Sequence, residues 1–258
     1  DDQSIVQVDV GLEITLTGPT LRCTRPALIA VCGADFELWA GTLPIPLWHA
    51  VFLRAGQWLR FGTRHRGARA YLAIDGGIDM PPFLDSRSTY LAGGFGGLEG
   101  RALRQGDRLP LGQGVSSPAM RAGRAWPASS RPPYTSAPTL RVVLGPQDDY
   151  FTPAGLETFL SAAYELSPDS NRMGARLNGP AIAHRDATGI VSDGVVTGSV
   201  QVPADGQPIV MLADHQTTGG YPKIATVIRA DLPLLAQCLP GDRVRFRAVT
   251  IAEAQAIG

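Results

Sequence analysis

Lysine is nearly missing from this 258-residue chain: 22 of its 23 basic residues are arginine, and Lys223 is the single exception. Such a bias follows from genomic base composition, under which Lys drifts to Arg wherever either serves. A surviving ammonium marks a place that needs a compact point charge rather than a wide planar fork. Cysteine is scarce as well. Cys23, Cys32 and Cys238 are odd in number and lack C-x-x-C spacing. They read as small buried hydrophobes in a reducing cytosol, not as a disulfide framework. The four histidines (His49, His65, His184, His215) include no H-x-x-x-H or H-x-H pair, so no metal site is expected. Neither a Walker-type G-x-x-x-x-G-K-[ST] nor an M-K-M biotinylation site is present. No apolar run approaches the ~20 residues of a membrane span, and Asp1-Asp2-Gln3-Ser4 does not open a signal peptide. With 23 acids against 23 bases and no basic stripe interleaved with aromatics, nucleic acid is not an expected partner.

What is present is mostly β pattern. Residues 12–16 alternate apolar and polar as a half-buried strand does. Ala27–Cys32 and Asp35–Trp39 continue the pattern, with Gly33 as a break. Val51–Leu53 and Gln57–Phe61, joined by Ala55-Gly56, read as a hairpin, and Ala70–Ile74 as a further strand. Thirty Gly and 21 Pro punctuate these segments, as in an antiparallel barrel or sandwich. Residues 113–138 are Pro/Ser-rich without apolar periodicity and read as a connector between lobes 1–112 and 139–258. Beyond it, Thr152 can cap a helix with Pro153 in its first turn and Leu156, Phe159, Leu160 and Ala163 on one face. Asp231 can cap a second, shorter helix. Thr250 and Glu253 form a capping box for a third.

The richest stretch is Asp214-His-Gln-Thr-Thr-Gly-Gly-Tyr-Pro-Lys223, set between the apolar runs 209–213 and 224–228. It carries far more polar functionality than a turn requires. It has a weaker echo in Asp85-Ser-Arg-Ser-Thr89, followed by Gly93-Gly94-Phe95. A second echo repeats a turn glycine and an alternating segment at Gly56, Gly106 and Gly241. Their shared order points to two related β lobes. The glycine-dense loop 93–100 has the composition of an anion-wrapping loop and equally of a surface loop. Asp193 and Asp205, each followed by glycine, read as hairpin turns. Gln201, an amide between Val200 and Val202, faces away from both valines and needs a polar partner if it lies inside a barrel. Ser/His/Asp catalysis has candidate residues but no nucleophile elbow.

Six motifs together carry a resemblance. They are Gly76-Gly-Ile-Asp-Met-Pro-Pro-Phe-Leu-Asp-Ser-Arg-Ser-Thr-Tyr, Gly93-Gly-Phe-Gly-Gly-Leu-Glu-Gly-Arg, Asn171-Arg-Met-Gly, Ser192-Asp-Gly-Val, Gln201-Val-Pro and Gln216-Thr-Thr-Gly-Gly-Tyr-Pro-Lys-Ile. Over nearly its whole length the chain resembles the allophanate hydrolase subunit 2 family, also called the biotin-dependent carboxyltransferase-like family. The resemblance implies two cyclophilin-like β-barrel lobes with a few short helices. It implies a separately encoded or fused partner, subunit 1 (the B subunit of a 5-oxoprolinase), and a cytoplasmic hetero-oligomer. It also implies an N-terminal segment, carrying V-Q-D-x-G-R, ahead of Gly11; the chain is therefore expected to be part of a longer protein.

The expected activity is that of one component of an ATP-dependent 5-oxoprolinase, which opens a lactam to give glutamate, with ATP held here or by a partner. The alternatives are carboxyl transfer from carboxybiotin to urea or a similar amide, and a regulatory module that sequesters its subunit 1 partner. Lys223, Thr217, Thr218 and Gln216 are the expected donors to a developing oxyanion. Tyr221 or Asp214 would move protons. Gln201, Arg172, Asp85, Arg87, Ser88, Thr89 and Glu99 complete the expected substrate-binding set.

Overall fold

The computed structural model describes residues 11–114, 118–186 and 189–257. The chain divides into two compact units, with the division between Arg131 and Pro132. Both are mainly β with a few short helices, as the strand patterns and turn residues predict.

The N-terminal unit is a six-stranded sheet of β1 (Leu12–Thr15), β2 (Thr20–Arg22), β3 (Ala27–Ala40), β4 (Leu43–Ile45), β5 (Ala50–Leu53) and β6 (Trp58–Ile74). Its spine is the antiparallel pair β3 and β6, which runs from Ile29↔Ile74 to Ala40↔Leu59 with register shifts around residues 33–38. Gly33 is therefore a bulge inside one 14-residue strand rather than a break between two. Residues 70–74 are likewise the end of β6, not a separate strand. The 51–61 hairpin does not form. β5 pairs with β3 from Ala27↔Leu53 onward, and β6 pairs with β3's other edge, so the two are separated by the strand they share. Ile29, Val31, Phe36, Leu53, Leu59 and Leu72 are buried in this unit's core.

Part of the Pro/Ser-rich stretch continues this unit. Ala50 N–H donates to Arg124 O at 2.8 Å, Gly123 N–H to Ala50 O at 2.8 Å and Trp126 N–H to Trp48 O at 2.8 Å. Backbone pairing beside β5 thus takes up residues that have no apolar periodicity. Val115, Ser116 and Ser117, within the same stretch, lie outside the described residues.

The C-terminal unit contains β7 (Thr139–Leu144), α1 (Pro153–Ser161), β8 (Tyr164–Leu166), β9 (Gly174–Asn178), β10 (Asp193–Gly194) and β11 (Ser199–Gln201). Then follow β12 (Ile209–Met211), β13 (Thr218–Gly219), β14 (Lys223–Val227), α2 (Leu232–Ala236), β15 (Arg243–Ala248) and α3 (Ile251–Ile257). Seven strands close a barrel in the order β11-β12-β9-β8-β15-β7-β14, and β10 pairs with β13 in a small separate ladder. Closure leaves no free edge among the seven strands. The barrel core holds Leu140, Phe151, Phe159, Val200, Ile224 and Phe246, and each fully buried large apolar side chain contributes roughly 1.5–3 kcal/mol.

α1 follows its sequence signals. Thr152 Oγ1 accepts from Gly155 N–H at 3.0 Å, and Phe159 stacks on Phe246 with ring centroids 4.4 Å apart. The capping box also forms: Thr250 N–H donates to Glu253 Oε2 at 2.7 Å and Glu253 N–H to Thr250 Oγ1 at 3.2 Å. Asp231 does not cap α2 with its side chain. Its carboxylate instead accepts from Arg141 N at 2.7 Å, Nε at 2.9 Å and Nη2 at 2.5 Å, fastening the start of β7 to the segment before α2. Burial alone would raise the Asp231 pKa, but the Arg141 side-chain and backbone hydrogen bonds outweigh it and hold the group below its usual value.

Replacing Asp231 by Ala strands a guanidinium and a backbone N–H, and the expected loss is about 3 kcal/mol in a denaturant titration. Because the folded pKa is depressed, this stability is fully present above the unfolded value of roughly 3.9. It is lost as pH falls through the folded value, so the wild-type chain is expected to lose stability with acid more steeply than Asp231→Asn.

Candidate functional site

Lys223 is the first residue of β14, where the strand enters the barrel, and its side chain is 3% exposed. Nζ donates to Asp193 Oδ2 at 2.6 Å and to Gly194 O at 3.0 Å. An ammonium has three donors, and the third meets no acceptor among the described residues. Gln147, just past β7, holds both ends of this arrangement. Its Oε1 accepts from Lys223 N–H at 3.1 Å and its Nε2 donates to Asp193 Oδ2 at 3.2 Å, while its own N–H donates to Lys223 O at 3.1 Å. The Asp193 carboxyl is held below the usual carboxylate range by its hydrogen bond with Lys223, then by those from Gly194 N–H and Gln147. Asp193 is therefore more than a turn residue, because its carboxylate is the counter-ion of a buried ammonium. Asp205 does fit the turn reading, since its Oδ1 accepts from Gln207 N–H at 3.0 Å.

Gln201 is Lys223's cross-strand partner, at the point where the β11–β14 register shifts. It is 1% exposed, and its Nε2 reaches Tyr221 O only at 3.5 Å, the outer limit of a hydrogen bond. The amide lies against Gly219, where an added Cβ would fall 2.4 Å from Gln201 Nε2 and 3.2 Å from Val195 Cγ2. Gly219 in turn pairs with Asp193 in the β10–β13 ladder. Both buried side chains, one cationic and one amide, thus reach the same two-residue ladder.

The rest of the 214–223 run surrounds this centre in varied ways. Asp214 forms a two-point pair with Arg172, Nε to Oδ2 at 2.8 Å and Nη2 to Oδ1 at 3.1 Å. This joins two residues expected at the site, but it commits the Asp214 carboxylate to a guanidinium. His215 Nε2 lies 3.2 Å from Thr197 Oγ1, and Gln216 Nε2 lies 3.9 Å from Met211 Sδ. Thr217 O accepts from Val195 N–H at 2.9 Å. Thr217, Thr218 and Tyr221 are exposed.

The candidate residues of the N-terminal unit form a separate constellation. Arg87 bonds Asp79 and donates to Met80 O at 2.9 Å, and Glu99 pairs with Arg101 at 2.8 Å. Asp85 sits in a turn with φ 61° beside the Phe83↔Ser86 bridge. The glycine-dense loop packs on its own stem: a Cβ at Gly96 would lie 2.2 Å from Ser88 O, and one at Gly97 would lie 1.9 Å from Thr89 Oγ1. Close approach to Ser88 and Thr89 accounts for the glycines at 96 and 97.

An apolar cavity of about 700 Å³, lined in part by Val143, Val196, Ile228, Leu232 and Ile251, also lies in the C-terminal unit. It lacks Lys223, Asp193 and Gln201, and its walls offer little for acid–base chemistry. Among the described residues no group of His, Cys, Asp and Glu side chains could hold a metal, and no helix is long and apolar enough to cross a membrane.

Two central residues escaped the sequence reading. Asp193 was visible in Ser192-Asp-Gly but carried an ordinary turn signature. Gln147 had no local signal, because its role depends on strands 46 and 76 residues away in sequence.

A family profile for the carboxyltransferase domain, subdomains A and B, matches residues 7–248. The chain belongs to this carboxyltransferase family. Within it, the chain is 38% identical over 252 residues to the 5-oxoprolinase C subunit of Escherichia coli (strain K12), covering 95% of this chain and 76% of that protein. It is 32% identical over 255 residues to a putative urea carboxylase of Emericella nidulans, covering 94% of this chain and 20% of that one. The crystal structure of the K. lactis urea amidolyase superposes with a TM-score of 0.87 at 31% identity, covering 95% of this chain and 16% of that one. The chain thus spans about three-quarters of the first of these proteins and a fifth or less of the other two.

The Lys223–Asp193 pair predicts a specific sensitivity. In Asp193→Asn the buried ammonium loses its only carboxylate partner among the described residues, so this variant is expected to unfold at lower temperature than Asp205→Asn, whose carboxylate accepts within a turn. Thermal melts of the two variants side by side provide the check.

Proposed function

We propose that this chain is the C subunit of an ATP-dependent 5-oxoprolinase, acting with a B-subunit partner in the cytoplasm to open the 5-oxoproline lactam to glutamate. The observation that carries this reading is the buried Lys223 ammonium with one uncommitted N–H, in a chain 38% identical to a protein of that name. A lactam is a stable amide, and attack on its carbonyl carbon places negative charge on the carbonyl oxygen. A fixed ammonium shielded from water stabilises that charge far more than one in bulk solvent does. Asp193, Gly194 O and Gln147 hold Nζ in place, so little reorganisation is needed as the charge develops. Thr217, Thr218 and Gln216 supply further donors on the exposed side of the segment. With Asp214 tied to Arg172, the exposed Tyr221 hydroxyl is the better placed proton carrier. Arg172 then acts by fixing Asp214 and the 214–223 segment.

ATP supplies the driving force for opening the lactam when bound. The sequence carries no Walker-type phosphate loop, and in the one glycine-dense loop Gly96 and Gly97 pack against Ser88 and Thr89. We therefore assign ATP to a partner protein of the complex. In the same way Asp85, Arg87, Ser88, Thr89 and Glu99 are kept as a second substrate-contacting patch, without a catalytic role.

Carboxyl transfer is the second reading, favoured by the superposition on urea amidolyase. There the same ammonium would face the ureido oxygen of biotin, and the biotin carrier would come from another chain or domain.

Co-expression with its neighbouring genes is expected to give ATP-dependent glutamate release from 5-oxoproline. Lys223→Met in that complex should lower kcat by about 100- to 1,000-fold, as removal of one oxyanion donor does elsewhere. Turnover unchanged from wild type would remove Lys223 from the mechanism. Dependence on a biotinylated carrier would favour carboxyl transfer.

A further inference from the structure

Gln201 presents an unusual balance of burial and bonding. Its side chain is almost wholly enclosed, yet Nε2 makes one long contact, to Tyr221 O at 3.5 Å, and Oε1 has no partner among the described residues. Among those residues no fully enclosed side-chain nitrogen or oxygen lacks a partner, so the free Oε1 keeps a small patch of exposed surface. A buried amide with one acceptor and one donor unspent is costly unless something supplies their complements. Gly219 packs directly against the amide, and any side chain there would collide with Nε2.

We propose that Gln201 reads the cis-amide edge of the substrate, an N–H and a C=O side by side in a small ring or a urea. Oε1 accepts from the substrate N–H, and the spare Nε2 proton donates to the substrate carbonyl oxygen. This two-point pairing orients the carbonyl toward Lys223, Gln201's partner across the β11–β14 register. It explains why an amide stands at this position: a carboxylate only accepts, an ammonium only donates, and a hydroxyl cannot span both atoms. It also explains the glycine at 219. Lactams, ureas and the ureido ring all display this edge, so the pairing names the shared chemistry of the two readings above and rests on the placement of substrate at Lys223.

The test is calorimetric binding to the assembled complex without ATP, using 5-oxoproline, its lactone analogue with ring O in place of N–H, and imidazolidin-2-one. Wild type is expected to bind 5-oxoproline at least about tenfold tighter than the lactone, because the lactone leaves Oε1 unpaired. Gln201→Met and Gln201→Leu, which offer no strong acceptor to the substrate N–H, should reduce that ratio to near one. Gly219→Ala, which keeps Gln201 but displaces its amide, should do the same, and thermal melts would verify folding of all three. Equal affinity of wild type for lactam and lactone, a ratio preserved in a folded Gln201 variant, or no binding of any probe would overturn the proposal. Gln201-dependent discrimination without glutamate release on adding ATP would retain the proposal while removing the 5-oxoprolinase reading. Normal turnover and KM in Gln201→Met would do the reverse. Tighter binding of imidazolidin-2-one than of the lactam would support the pairing and point to ureido substrates.

Discussion

An ammonium removed from water must find a counter-charge and hydrogen-bond acceptors, or the fold loses several kcal/mol. Lys223 meets that demand with Asp193 Oδ2 and Gly194 O, and Gln147 ties the carboxylate back to the lysine's own backbone. These residues come from three separate parts of the chain. They meet because β14 lies between β7 and β11 in the closed barrel, while the β10–β13 ladder reaches the end of that pair. The ammonium is thus a device for function and also a constraint on topology: the barrel must close in this order for the charge to be buried at tolerable cost.

Different parts of the molecule were legible in the sequence to different degrees, for physical reasons. Local signals translated directly. Thr152 with Pro153, and Thr250 with Glu253, act within one helical turn, so spacing alone determines their hydrogen bonds. Single-lysine composition singled out Lys223, and the polar load of residues 214–223 marked the segment leading to it. Long-range pairings were invisible. Nothing local distinguishes the 17-residue β6 from two shorter strands, because a bulge and a turn share the same glycine signature. Asp231 stands where a capping residue should, but Arg141, 90 positions away, captures its carboxylate. Asp193 was hidden by the same ambiguity, since an Asp-Gly pair is an ordinary turn until a buried cation lies above it.

The N-terminal echo illustrates the reverse case. Asp85–Thr89 and the loop 93–100 share composition with the lysine segment, yet their polar groups are spent locally, in Arg87 with Asp79 and Met80 and in Glu99 with Arg101. Glycine there serves close packing against Ser88 and Thr89. A related sequence order has therefore been put to different physical use in the two units. Among the described residues, only the C-terminal one holds a buried cation beside a buried amide with hydrogen-bonding capacity to spare.

Because the chain has one lysine, its ε-methylene is a unique spectroscopic reporter. The most direct measurement is the NMR resonance of ¹³Cε-lysine-labelled protein in the assembled complex, recorded as 5-oxoproline or proline is added. The account predicts that the single resonance shifts with the lactam, and that proline, which has no ring carbonyl, leaves it in place. A resonance unmoved by 5-oxoproline at concentrations that saturate turnover would contradict it.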